Sequence, residues 1–536
     1  MKKILTLVLA ASMLVCGGCK NTDNNTADSD TLEKVTTSDS YPIKTDVTLR
    51  YWMSMHPHIS ASCTSFNDTE IKKYLEEATG IKLKFEHPVS GQETESFNIL
   101  ISSDDLPDIM EYSWSTYAGG PQKAIDEGVI TNLNSYIDKV SPNLKKVLKE
   151  NPDYENFIKT DDGNYFQYPF IRPNEIQASF RTYIIRKDLL DKAGLERPET
   201  LDELETALYK FKDMGIKSPL SLRMSQMASL SPLTSAFGFA GTFYHDKDGK
   251  VKYGLYEEAF GDYVKKLNQW YKDGILDKEF ADEDENRRAA MVTNGENGVI
   301  DATIGGEFGN YIKSILPDSG IEYEGMKTPV KNKGDRPMWS QKDWPALDCA
   351  AISGTSKNKE IAARFLDFGY SKEGSLLYNF GVENESFTYQ DSERGKHIPT
   401  YTALVTDSSK NGGLTLAQGI SKYTRAALSG PFIADIEYVY QYYQTDEQKE
   451  ALELTSSDTY DYKLPPLYYT SEEQKKYNDM MTPIETYQKE TMMKLISGKM
   501  NINKLDEYYS ELKRMGIEDV IKIVQSAYDR SKARAE

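Results

Sequence analysis

Four of the five tryptophans, Trp52, Trp114, Trp339 and Trp344, fall in stretches that read as loops or strand ends. An indole there offers a flat apolar platform with one N–H donor at its edge. Such platforms stack on the C–H faces of polyhydroxylated rings, while Asp, Glu, Asn, Gln or Arg hold the hydroxyls. All four are therefore candidate ligand contacts, with His56, Tyr117, Arg181 and Phe308 as further candidates. Each also has a plainer reading, since a loop tryptophan is as often partly buried packing. Trp270 shares a helical face with Tyr263, Leu267 and Tyr271 and reads as core.

Covalent chemistry leaves no comparable trace. The chain contains no phosphate-binding Gly-x-x-x-x-Gly-Lys loop, no Gly-x-Ser-x-Gly elbow and no His-Glu-x-x-His. His56 and His58 flank Pro57 on a loop, with no cysteine nearby, a poor pattern for a metal. No catalytic residue, metal site or cofactor is assigned. Among 83 acidic residues, a pair spanning a glycosidic bond is neither picked out nor ruled out.

The candidates near the amino end are positioned by a clear element pattern. Val47, Leu49 and Tyr51 alternate as in a strand. Asn67-Asp68-Thr69-Glu70 predicts a helix start, with Ile71, Tyr74, Leu75 and Ala78 on one face and Gly80 at its end. Ile81, Leu83 and Phe85 alternate again, a short helix carries Phe97, Leu100 and Ile101, and Leu106-Pro107-Asp108-Ile109-Met110 ends in a third strand. This is βαβαβ, which implies a parallel sheet with ligands beyond the carboxyl ends of its strands. Those ends carry Trp52-Met53-Ser54 and Tyr112-Ser113-Trp114.

Further along, Thr182–Arg186 reads as a strand and Thr200-Leu201-Asp202-Glu203 as a capping box. Asp246–Lys250 reads as a hairpin turn, and the chain beyond about residue 410 as mostly helical. At 536 residues two lobes are expected, and no internal repeat appears. The net charge is −19, with no basic footprint for nucleic acid. Tyrosine is abundant, at 36 residues, which suits polar-faced binding surfaces.

The first residues are an address. Met1-Lys2-Lys3 is a positive start, Ile4–Val15 an apolar run too short to span a bilayer, and Cys16-Gly17-Gly18-Cys19 follows. This resembles a bacterial lipoprotein signal cut after residue 18, with Cys19 acylated (palmitate among its chains). Cys16 stands where such signals usually have Leu, and a secreted, unlipidated protein is the alternative. Residues 19–45 comprise that cysteine and a polar tether with no apolar period.

The order of segments resembles the family 1 extracellular solute-binding proteins, in particular the large lipoprotein branch serving carbohydrate ABC importers in Gram-positive bacteria. The resemblance rests on Ser103–Ile109, Gly128–Leu133, Arg186–Leu195 with Pro198–Glu203, Trp270–Asp277, Asn358–Asp367 and Phe380–Glu385. Each motif is weak alone, but their order covers nearly the whole mature chain. The resemblance implies an α/β, two-lobed periplasmic-binding-protein-like (type II) fold, with interleaved lobes and crossing hinge segments. Lobe 1 would be 46–180 plus 330–405 and lobe 2 would be 181–329 plus 406–536. It implies a non-enzymatic, monomeric receptor, lipid-anchored on the extracellular face of the membrane, that delivers an oligosaccharide to ABC permease subunits. A peptide or another polar solute is the alternative ligand, and a tethered surface glycosidase the alternative activity. The calcium loop of some relatives is not carried over, because Gly215-Ile216-Lys217-Ser218-Pro219 follows the helix directly.

Overall fold

The computed structural model describes residues 40–103, 105–227, 232–338, 344–456 and 461–535. Trp339, Cys19, the apolar leader and nearly all of the tether lie outside the described residues.

Thirteen strands are present among them: β1 (Thr48–Trp52), β2 (Lys82–Glu86), β3 (Ile109–Glu111), β4 (Tyr168–Ile171), β5 (Arg181–Arg186), β6 (Ser218–Ser221), β7 (Phe243–His245), β8 (Val251–Tyr253), β9 (Asn297–Thr303), β10 (Tyr323–Met326), β11 (Ala346–Ile352), β12 (Phe387–Ser392) and β13 (Gly395–Tyr401). They form two sheets, ordered β2-β1-β3-β11-β4 and β10-β5-β9-β6, and two hairpins, β7-β8 and β12-β13. In the first sheet β1 is parallel to both β2 and β3, as the βαβαβ pattern requires, and β11 enters antiparallel between β3 and β4. In the second, β6 runs parallel to β9 while β5 opposes it.

Local chemistry explains the first unit. On β2, Leu83 and Phe85 turn inward and Lys82 and Lys84 face out, the pleat's period of two. The helix Glu70–Thr79 ends at Gly80, whose φ is +74°, and a Cβ there would lie 2.3 Å from the Ile43 carbonyl oxygen. Its start differs from the sequence reading. Ser65, not Asn67, caps a short 3₁₀ turn (Phe66–Asp68), reciprocally with Asp68, and Thr69 begins the helix without a side-chain cap. Asp108, before β3, binds three ways: Oδ2 accepts from the Arg50 backbone N–H, and Oδ1 accepts from Ser356 Oγ and Asn358 Nδ2. The Leu-Pro-Asp-Ile segment thus ties two strands to the loop after β11.

The second sheet is covered by helices from distant sequence. Ala259–Lys272 packs on Ser471–Ile496, which packs on Ile517–Ala535. Trp270 lies in that core, its Nε1–H donating to Glu205 at 2.9 Å. Leu416–Tyr423, expected beside the second sheet, instead packs on the first sheet's helices Pro57–Ser60 and Glu70–Thr79. The chain passes between sheets at 172–180, again within 327–345, and a third time after Ile433, which bridges to Ile171, and before Asp446–Ser456, which packs on β10. Among the described residues, no helix is long and apolar enough to cross a membrane.

Candidate functional site

A cavity of 560 Å³ opens at the carboxyl ends of β1 and β3. Its walls come from five places. The exit of β1 supplies Trp52 to Pro57, the start of the helix Glu93–Ile101 supplies Glu93 and Thr94, the exit of β3 supplies Glu111 to Ser113, β11 supplies Asp348 and Cys349, and a loop 314 residues beyond Glu111 supplies Arg425. Volume and position match the general rule for ligand sites in open α/β sheets.

Several of the cavity's polar side chains are already engaged by protein. Arg425 grips Glu111 with two parallel bonds, Nη1 to Oε1 at 2.7 Å and Nη2 to Oε2 at 2.9 Å, and the Tyr51 hydroxyl also donates to Glu111. The guanidinium is 2% exposed and donates again to the Ser429 carbonyl. Both terminal nitrogens are thus taken by protein, while Nε has no hydrogen-bond partner. Burial pushes the Asp348 carboxyl up; the Ser115 hydroxyl, the Ser115 backbone N–H at 3.0 Å and Gln167 Nε2 at 2.9 Å pull against that shift. Burial likewise pushes the Cys349 thiol up, which keeps it unreactive. His56 caps the helix Pro57–Ser60, its Nδ1 accepting from the His58 backbone N–H at 3.2 Å.

The sequence candidates part company here. Trp52 and His56 line the cavity. The expectation of Trp114 as an open platform does not hold: it is 0% exposed, edge-on to Phe97 at 5.6 Å and to Tyr112 at 5.8 Å. Tyr112, stacked on Phe97 at 3.5 Å, is the aromatic of that stretch that reaches the cavity. Tyr117 is buried in the same cluster, its hydroxyl donating to Glu127. Phe308 is fully buried in the second lobe's core, so it presents no face to a ligand. Trp344 packs against Phe157 with Lys463 over its ring, apart from the cavity lining.

Arg181 belongs to a second polar cluster, at the carboxyl ends of β6 and β9. Asp301 receives Arg181 at 2.7 Å, Arg288 at 3.0 Å and Arg223, and Arg223 also pairs with Glu285 at 2.9 Å and with Glu307. Glu111, Asp348 and Arg425 were missed from sequence, for pairings between residues hundreds apart leave no periodic signal.

Two α/β sheets joined by three crossings, with a cavity at strand carboxyl ends, define a two-lobed binding protein. A family model for bacterial extracellular solute-binding proteins matches residues 66–375, and the chain belongs to that family. It is 25% identical, over 551 residues spanning 98% of each chain, to the fructooligosaccharide ABC transporter substrate-binding protein FusA of Streptococcus pneumoniae serotype 4. It is 22% identical over 413 residues, 73% of this chain and 76% of the other, to the polygalacturonan/rhamnogalacturonan-binding protein YtcQ of Bacillus subtilis. The alginate-binding protein AlgQ2 superposes with a TM-score of 0.69 at 24% identity, over 91% of this chain and all of that one. FusA in complex with kestose gives 0.68 at 23% identity with the same coverage. The fold is the type II periplasmic-binding-protein-like fold of these solute-binding proteins.

Proposed function

We propose that this chain is the substrate-binding component of an ABC importer, capturing an oligosaccharide between two lobes and delivering it to the permease. The observation that carries the reading is the 560 Å³ cavity at the strand ends, lined by Trp52 and Tyr112 beside the acceptors Glu93, Glu111 and Asp348. Indole and phenol faces suit sugar C–H faces, and carboxylates suit hydroxyls. The lobes are divided near 180, near 330 and again between 433 and 446, and ligand draws them together because it binds the closed arrangement better. Cys19 carries the lipid, and the receptor works as a monomer at the outer face of the membrane.

Turnover is not part of this reading. Glu111 is held by Arg425 and Tyr51, and Asp348 by Ser115 and Gln167, so neither carboxylate stands ready as general acid or base.

Neutral sugars fit better than uronates. Three carboxylates line the cavity, and the one cation among its described lining residues, Arg425, is already paired. A buried ligand carboxylate would meet like charge without a partner. A thermal-shift panel of neutral oligosaccharides, acidic oligosaccharides and short peptides tests this. A neutral glycan at about one hundred times its Kd raises the melting temperature by roughly 3 °C and is recovered unchanged. A shift with peptides alone overturns the sugar assignment, and consumption of the glycan overturns the receptor reading.

A further inference from the structure

Arg425 stands between the main cavity and the place where the three crossings meet. It lines the cavity together with Glu111, Leu428 and Ser429. Nη1 and Nη2 hold the two Glu111 oxygens at 2.7 and 2.9 Å, and Nη2 also donates to the Ser429 carbonyl. One side chain thus fixes both the carboxylate at the exit of β3 and the wall segment 428–429. The backbone is pinned as well, the Arg425 N–H donating to the Tyr378 carbonyl at 2.9 Å. Gly430 packs on the guanidinium so closely that a Cβ there would lie 2.9 Å from Arg425 Cζ and 3.0 Å from Nε.

A few residues on, the same segment ties the crossings together. Ile171, the last residue of β4, donates its N–H to the Phe432 carbonyl at 3.0 Å and accepts from the Ala434 N–H at 2.8 Å. The next residue, Arg172, opens the first crossing. Its N–H donates at 2.7 Å to the carbonyl of Pro345, where the second crossing ends. The third crossing starts just beyond Ala434. All three therefore leave the first sheet at one knot, Ile171–Arg172. Phe432 braces it, stacked on Tyr378 at 4.9 Å with the rings 2° from parallel, and set against Phe170 at 4.9 Å. Residues 425–434 are thus a short arm with one end in the cavity and the other in the knot. A packed arm of this kind moves between discrete settings and does not bend continuously.

We infer that Arg425 is a positioning residue for ligand capture, coupling the main cavity to the crossings by holding the arm 425–434 to Glu111. The inference rests on the oligosaccharide reading above and adds to it the route by which a bound sugar biases closure. A sugar hydroxyl received at the Glu111 carboxylate or the Ser429 hydroxyl meets groups that Arg425 already joins. Occupancy then favours one setting of the arm and, through Phe432 and Ala434, one setting of the crossings. The guanidinium is needed for its geometry and not for its charge alone. A lysine ammonium is a point charge and cannot hold two carboxylate oxygens in a planar fork together with the Ser429 carbonyl.

The test joins calorimetric titration of the full folded body to small-angle scattering at saturating ligand. The probes are neutral tri- and tetrasaccharides of the fructo-, malto- and xylo- series. Arg425→Lys keeps the charge and loses the fork. Gly430→Ala crowds the guanidinium and leaves every charge in place, and Gly430 lies outside the left-handed region, so alanine suits its backbone. Gly298→Ala, which crowds a strand of the other sheet, controls for lost stability. The two arm variants are expected to weaken sugar binding by roughly two- to thirtyfold and to shrink the compaction that sugar induces. Gly298→Ala is expected to lower the melting temperature and change neither. If Arg425→Lys does not fold, Gly430→Ala decides alone. Compaction equal to the parent's in the arm variants, with or without lost affinity, overturns the coupling and leaves the sugar reading standing. An equal loss in Gly298→Ala does the same, because it marks the effect as general loosening. A parent protein that binds none of these sugars overturns the sugar reading and the coupling with it.

Discussion

Trp52 and Trp114 share a residue type, a strand-end position and one aromatic cluster, yet only Trp52 reaches the cavity. The alternation that ends in Trp52 was legible, because pleat geometry writes itself into sequence at a period of two. The burial of Trp114 was not, because Phe97 comes from a separate helix and covers it. The two positions therefore behave differently on truncation. Trp52→Ala is expected to lose the thermal shift given by sugar while the protein still folds. Trp114→Ala is expected to destabilise by about 3–5 kcal/mol, measured by denaturant unfolding. Asp188 supplies a pH signature. Burial pushes its carboxyl up, but Arg186 and Lys192 outweigh burial and hold it at about 2. That is below the ordinary carboxylate value, so its contribution, roughly 2 kcal/mol, is complete above about pH 4 and is lost as pH falls toward 2. Asp188→Asn should therefore lower stability at neutral pH and flatten its fall between pH 4 and pH 2. An unchanged acid limb would show that the pair contributes nothing.

At the level of elements, the parallel unit β1–β3 was readable because helix faces and alternating strands follow one another within seventy residues. The capping box at Thr200 was readable for the same reason, and its two reciprocal bonds are present. β9 escaped notice although it is central to its sheet. It carries Asn297 and Asp301, both buried, and Gly298 between Asn297 and Val299, so it lacks the clean alternation of β2. Those residues are there for packing and pairing. Asn297 Nδ2 donates to the Val299 carbonyl at 3.1 Å, and Asp301 gathers three arginines. A Cβ on Gly298 would lie 2.6 Å from the Pro219 carbonyl oxygen and 2.7 Å from the Phe211 ring. Gly298→Ala is expected to destabilise by about 1–3 kcal/mol, since backbone on one side and a helix on the other leave little room to shift. A neutral result in urea unfolding would mean that β6 yields more readily than its pairing implies.

Taken whole, the molecule is held across its lobes by more than the crossings. Near the end of the last helix, Arg530 and Arg534 both reach Asp161, at 2.9 and 3.3 Å, while Arg530 also pairs with Glu473 at 2.7 Å. Asp161→Asn should loosen that clasp, and faster amide exchange in 517–535 without loss of the core is the expected sign. The same interleaving that joins the lobes also sets a schedule for the nascent chain. β11 is the strand between β3 and β4, yet it is made only after every strand of the second sheet. Until residue 352 has left the ribosome, β3 and β4 have no common partner and stand as open edges, the kind of surface that pairs with the wrong chain. The half that begins the sequence is thus the half whose sheet is completed last, and a factor that holds unfinished chains has most to protect at β3 and β4.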